Sequence, residues 1–294
     1  MIKKAAPGGE KLRLGIIGQS GTGKTWSSLL VREWLGYKKV CIIDTDPGVS
    51  EGKSASERYG DHFDFDVCVP EAPHTGRNLL KALKEVEANE YDLIIVDSLS
   101  DEWSEAFTHV TKKGGHAARQ WGIYKNDQHI PFIMALQHSP AHIICTMKPK
   151  EVEQEIINED GEVVETIKIV TARQEKDSVF RFTTVVQLFH NHTFTVVKDR
   201  SQKFKAMQKP IKFNEENFGA PMREFLNEFG CEEDKVDLGA KATKMKVAIN
   251  KATSSTIEKV ADKLKELKKE LTEEEVIFLE SLLENKKQGL DSSF

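Results

Sequence analysis

Apolar residues along the chain alternate between two kinds of run. Short, nearly unbroken stretches occur at 12–17, 39–43, 91–96 and 142–146. Each stops in glycine, acidic or polar residues, the pattern of strands buried on both faces in a parallel sheet. Between them, residues 26–35 and 78–87 carry apolar positions at helical spacing, as do 127–136 after a polar stretch rich in Lys, Gly and His. Strand and helix therefore alternate, which predicts a βαβ architecture.

The rhythm changes after Met147. Segments 153–156 and 163–170 flank Asn158-Glu159-Asp160-Gly161, where Asp-Gly is a strong hairpin signal, and further strands are predicted at 185–189 and 193–197. The expected fold class is α/β, with a mostly parallel central sheet, antiparallel strands at one edge and a small helical appendage at the C-terminal side. Residues 1–10 read as a flexible lead-in, 11–230 as the main domain, 231–240 as an acidic linker and 241–294 as a helical tail. In the tail, Ser255-Thr256-Ile257-Glu258 and Thr272-Glu273-Glu274-Glu275 read as capping boxes. Residues 241–250 predict one further helix.

Composition narrows the class without naming a function. A hydrophobic share of 39% and a charged share of 30% belong to an ordinary soluble globular chain. The N-terminal residues lack the apolar core of a secretory signal, no segment reads as a membrane span, and a reducing cytoplasm is expected. A net charge of -5 argues against a wholly basic nucleic-acid coat but leaves room for a local basic channel. The four cysteines are scattered without a CxxC pair, and the histidines show no metal-ligand spacing, so zinc chemistry and a disulfide framework are not expected.

The strongest motif lies between the first strand and the first helix. Gly18-Gln19-Ser20-Gly21-Thr22-Gly23-Lys24-Thr25 satisfies GxxxxGK[ST] in full, with Trp26 completing the expected nucleotide-binding set. Backbone N–H groups of such a loop cradle phosphates, Lys24 reaches the β- and γ-phosphates, and the Thr25 hydroxyl ligates Mg²⁺. Asp97 ends the apolar run 93–96 and is the expected acidic partner for that metal.

Beyond the loop, Cys41 to Asp46 resembles the second strand of RecA-like ATPases, and the stretches Asp97-Ser98-Leu99-Ser100-Asp101-Glu102-Trp103, His142 to Lys150, Arg173-Gln174 and Val196-Val197-Lys198-Asp199-Arg200 resemble the phage and prophage P-loop ATPases of the AAA_24 group. That group has a RecA-like core and includes the Sak-type single-strand annealing ATPases. The resemblance spans roughly residues 12–223 and implies ATP and Mg²⁺ as ligands. It implies Asp46, with Glu51 as the alternative, as the carboxylate that polarises water, and Thr146 as the polar sensor of the γ-phosphate. It also implies Lys198 and Arg200 as a pair reaching into a neighbouring subunit's nucleotide, hence a head-to-tail homo-oligomer with a composite active site. Relatives tend to carry acids where this chain reads Phe180-Arg181-Phe182-Thr183.

Single-stranded DNA is the partner the resemblance implies, along with a phage recombination or single-strand-binding protein, in a bacterial host's cytoplasm. Two loops are the expected DNA contacts: a basic, flexible one carrying Lys112, Lys113 and Arg119, and one from 148 to 173 carrying Lys148, Lys150 and Arg173. Trp121 and Tyr124 are either stacking surfaces for bases or helix-packing aromatics. The 151–165 hairpin is acidic and would repel phosphate, so a partner-binding role is an equal expectation for it, and an ATP-dependent adaptor without direct DNA binding is the alternative function.

Overall fold

A computed structural model describes residues 9–45, 56–113, 116–158, 162–204, 209–230, 240–253, 256–272 and part of 275–287. Residues 11–226 form one compact unit, and the described residues outside it form another.

The first unit is built on a sheet of eight strands. Its order is β10-β9-β8-β1-β5-β4-β2-β3, with β1 Arg13–Ile17, β2 Val40–Asp44, β3 Asp66–Cys68, β4 Leu93–Asp97, β5 His142–Met147, β8 Thr184–Leu188, β9 Thr193–Asp199 and β10 Ile211–Lys212. From β8 through β3 every neighbouring pair is parallel; β9 and β10 continue antiparallel at one edge. This is the mostly parallel α/β sheet of a RecA-like P-loop fold. Strands β1, β2 and β5 are buried along their whole length, which explains their unbroken apolar runs.

Helices α1 Lys24–Leu35 and α2 Gly76–Glu87 fall where the spacing predicts. Thr75 caps α2, accepting from Asn78 N, and Leu79, Leu83 and Val86 of its apolar face enter the main core beside Ile43, Val96 and Phe132.

The segment after β4 departs from expectation. Where the sequence suggests a polar stretch and a flexible basic loop, the chain forms α3 Leu99–Lys113 and α4 Ala117–Tyr124. A π turn, Lys125–His129, then leads into α5 Ile130–His138, so the helix predicted at 127–136 is the end of a longer helical run. Leu99, Trp103, Ala106 and Val110 share one face of α3, and Ala106 and Val110 cluster with Tyr124, Trp103 and Trp121. Polar residues between these positions hide the period.

Strands β6 Pro149–Ile157 and β7 Val163–Ala172 pair antiparallel as a separate two-stranded ribbon, in agreement with the predicted hairpin. Helix α6 Ala220–Phe229 follows the antiparallel strands, with Phe218 and Phe213, which precede it, packed on Phe194 of β9. The expected linker residues 231–239 lie outside the described residues. In the second unit, α7 Ala240–Lys251 and α8 Ile257–Leu267 share a small core of Ala242, Met245, Ile249, Leu264 and Leu279. The second capping box forms: Thr272 N donates to Glu275 Oε2 at 2.8 Å and Glu275 N to Thr272 Oγ1 at 3.3 Å. Ser255, which heads the first, lies outside the described residues.

Candidate functional site

A parallel sheet delivers the ends of its strands to one edge, and here that edge gathers the motifs. Strand β1 ends directly in the loop 18–23, and α1 begins at Lys24. Gly18 N donates to Met147 O at 3.1 Å, tying the loop's first residue to the end of β5. A Cβ at position 18 would lie 2.4 Å from Thr22 Oγ1 and 3.3 Å from Leu188 O, so only glycine fits. Gly23 caps α1 from the left-handed region, at φ 83°, a conformation glycine adopts without steric cost. The Gln19 carbonyl accepts from both Thr22 Oγ1 and Lys24 Nζ, each at 2.9 Å. Burial pulls the Lys24 pKa below its ordinary value; Lys148 adds to that, while Asp97 and Asp101 oppose it.

Asp97 stands at the centre. Its Oδ2 accepts from Thr25 Oγ1 and its Oδ1 from Thr146 Oγ1, so the three residues expected around the metal and γ-phosphate meet at one carboxylate. Asp97 is half-buried, and burial is the main cause of its raised pKa. The two hydroxyl bonds and Lys24 oppose that rise, and Asp44, opposite Asp97 in the β2–β4 register, reinforces it. A costly carboxylate whose ligands are hydroxyls, beside a phosphate loop, fits a hard divalent cation such as Mg²⁺. Beside the loop, a cavity of about 290 Å³ is lined by Gly18, Gln19, Pro149, Gln187 and His190, and His190 Nε2 lies 3.3 Å from Gln19 Oε1.

Trp26 adjoins the loop, where its ring meets Tyr59, His62 and Phe63 edge-on with centroids 5.6, 5.3 and 4.9 Å away. Asp46 and Glu51 lie outside the described residues. Lys198 and Arg200 separate. Lys198 Nζ donates to the carbonyls of Val179, Phe180 and Phe182 at 3.2, 2.8 and 2.5 Å, closing the end of the 3-10 turn Lys176–Arg181. Burial and the neighbouring Arg200 bring its pKa down to about 8. Arg200 is exposed, held by its backbone N–H on Thr183 O at 2.9 Å.

The expected DNA contacts are equally divided. Lys112 and Lys113 end α3 rather than occupying a loop, and Arg119 is exposed on α4. Tyr124 is buried, its hydroxyl donating to Glu102 Oε1 at 3.1 Å and accepting from Gly76 N at 3.2 Å, as a packing residue does. Lys150 and Arg173 are exposed at the foot of the ribbon, and Lys148 Nζ pairs with Asp101.

Two polar groupings escape sequence reasoning. Asp101 Oδ2 accepts from Thr45 Oγ1 at 3.0 Å and Ser98 Oγ at 2.8 Å, locking the ends of β2 and β4 together. Buried Glu102 bonds both Tyr124 and His129 Nδ1, the latter at 3.0 Å, joining α3 to the π turn. An acid one position before Trp103 on the apolar side of α3 was the available signal for Glu102. Among the described residues no cluster of His, Cys, Asp and Glu suits a metal, and no helix is long and apolar enough to cross a membrane.

A glycine loop closed on a helix N-terminus, with a hydroxyl-bonded aspartate at the end of a parallel strand, defines a P-loop nucleotide-binding protein. The model of the AAA_24 family, described as an AAA domain, matches residues 10–216, and the chain belongs to that family. AAA domains are nucleotide-binding ATPase modules, and the family implies a divalent metal with the nucleotide. No curated protein matches the chain.

Proposed function

We propose that this chain is a Mg²⁺-dependent ATPase of DNA recombination, phage-type, that works with single-stranded DNA as a head-to-tail oligomer. The observation that carries the ATPase part is the convergence of Thr25 and Thr146 on the Asp97 carboxylate beside the loop 18–24. Backbone N–H groups of the loop and the α1 N-terminus hold the phosphates, and Lys24 leaves the Gln19 carbonyl to neutralise them. Thr25 and Asp97 would hold Mg²⁺, which supplies charge neutralisation between the terminal phosphates. Thr146 fixes the orientation of Asp97, and Asp46 serves as the water-polarising carboxylate. Arg200, exposed at the end of β9, is available to a neighbouring subunit's nucleotide in a way that Lys198 is not.

Support for the DNA part is the family resemblance together with the exposed cations Lys112, Arg119, Lys150 and Arg173. A second reading, an ATP-dependent adaptor, draws on the ribbon: seven carboxylates and no cation lie between 151 and 165, which repels nucleic acid and suits a basic protein partner. Phosphate release by the wild type and by Lys24→Ala, with and without single-stranded DNA at low salt, tests both. The ATPase reading expects hydrolysis that Lys24→Ala abolishes. The recombination reading expects a gel shift and stimulation by DNA; their joint absence overturns it in favour of the adaptor.

A further inference from the structure

Lys148 occupies an unusual position for a surface lysine. It follows Met147, whose carbonyl holds Gly18 of the phosphate loop, and its own backbone is fixed on both sides: its N–H donates to the buried Ser100 Oγ at 2.9 Å and its carbonyl accepts from Arg173 N at 2.7 Å. The chain thus plants a flexible cationic side chain at the junction of β5, the phosphate loop and the first turn of α3. Its ammonium pairs with Asp101 Oδ1. Asp101 in turn lies four residues after Asp97, in the first turn of α3, and both Lys148 and Asp101 are near enough to Lys24 to shift its protonation.

We propose that Lys148 is a second cation for the terminal phosphate of the bound nucleotide, held in reserve by Asp101 until that phosphate arrives. The proposal rests on the nucleotide-binding reading above and adds to it a residue that separates triphosphate from diphosphate.

The physical case has three parts. Lys148 is half exposed and its ion pair with Asp101 is partly solvated, so the pair is weak and open to exchange. Asp101 does not lose its footing when the ammonium leaves, because Thr45 and Ser98 continue to donate to its other oxygen. A γ-phosphate adds negative charge that a diphosphate lacks, and the loop supplies Lys24 for it from one side only. Lys148 approaches from the β5 side, where Thr146 already faces Asp97. No bond is made or broken; one charge-assisted hydrogen bond replaces another. A plain surface salt bridge would need none of this backbone anchoring next to the loop, and a DNA contact would not be held by a carboxylate beside the metal-holding aspartate.

The test titrates fluorescent ADP and a fluorescent non-hydrolysable ATP analogue, both with Mg²⁺, into the full chain and its variants, with thermal melts to confirm folding. Lys148→Gln is expected to keep ADP affinity within about twofold while weakening the ATP analogue about tenfold. Lys148→Arg restores part of that loss, and Asp101→Asn, which frees the ammonium, tightens the analogue relative to ADP. Equal effects of Lys148→Gln on both nucleotides, or no effect on either, overturn the proposal. Unchanged discrimination with weakened single-stranded DNA binding overturns it in favour of a DNA contact. If the wild type binds neither nucleotide, the nucleotide-binding reading itself fails; if Lys24→Ala loses both nucleotides while Lys148→Gln discriminates as the wild type does, only this proposal fails.

Discussion

The end of β4 and the end of β9 present opposite charges by opposite means. Asp97 emerges from a strand flanked by parallel neighbours on both sides, and its carboxylate is gripped by two hydroxyls, one from α1 and one from β5. Lys198 and Arg200 emerge from the antiparallel edge, where only one residue of the pair is gripped and the other stands free of side-chain hydrogen bonds among the described residues. In the first place the register of a buried sheet fixes the chemistry within the chain. In the second, the fold leaves the Arg200 guanidinium exposed.

The largest effect expected from this contrast is at Arg200. If it completes a neighbour's site, Arg200→Ala lowers turnover on the order of 10³-fold while nucleotide affinity and melting temperature stay near wild type. Mixing that variant with a Lys24→Ala chain then restores part of the activity in steady-state assays. Near-normal turnover by Arg200→Ala alone removes the trans role.

Lys198→Met separates the other member of the pair. Three carbonyls lose a charged donor at the end of the 3-10 turn, so chemical denaturation is expected to show a loss of about 1–3 kcal/mol. Its pKa near 8 lies below the ordinary lysine value of 10.5, so the unfolded chain binds the extra proton between those values. Stability therefore rises with pH across that window in the wild type, and the rise is missing in Lys198→Met. A variant as stable as wild type but catalytically dead places Lys198 with Arg200 instead.

At the buried edge, Thr146→Val removes one hydroxyl from Asp97 without changing side-chain shape, and turnover is expected to fall about tenfold. The same variant moves the acid limb of Mg²⁺-dependent nucleotide binding upward. Asp97 has a raised pKa, so binding that needs its charge is lost, as pH falls, at a higher pH than for an ordinary carboxylate. The Thr146 bond opposes that rise and Asp44 reinforces it; Thr146→Val thus shifts the limb up and Asp44→Asn shifts it down. Stability runs the opposite way: the charged form is penalised in the fold, and the penalty lifts as pH falls through the raised value, so the fold gains stability where binding is lost. Identical limbs in all three proteins exclude Asp97 as the titrating group.

How much of this was written in the chain differs between the two regions. The loop 18–25 and Asp97 are legible because each sits where an unbroken apolar run stops, and parallel pairing brings such stops to one edge, whereas Thr146 is expected only through the family resemblance. The division of labour between Lys198 and Arg200 is invisible to spacing, since it depends on carbonyls 16 to 19 residues away in the chain. Asp101 with Lys148, and Glu102 with His129, lie 47 and 27 residues apart, and nothing local pairs them. Helix α3 was lost for a different reason: its stripe was present, but Glu102 interrupts it on the buried face and the flanking Lys112-Lys113-Gly114-Gly115 reads as loop.

The smallest effect is expected from the ribbon, and it is where the contrast between buried and free edges is most sharply drawn. At its foot, Met147 and Ala172 belong to the main core, but beyond them, among the described residues, the two strands pair only with each other and leave Val163 and Val164 51% and 61% exposed. A two-stranded ribbon whose side chains are as exposed as these contributes little to the stability of the domain that carries it. Replacing 154–167 by Asn-Gly joins Glu153 to Lys168, which already face each other in register, through a two-residue hairpin turn. Denaturant titration should register a change of less than about 1 kcal/mol, and basal hydrolysis should persist. Any function of the acidic ribbon toward a partner disappears in the same variant, so a large stability loss would mean that the ribbon is packed into the fold and is not an arm held out from it.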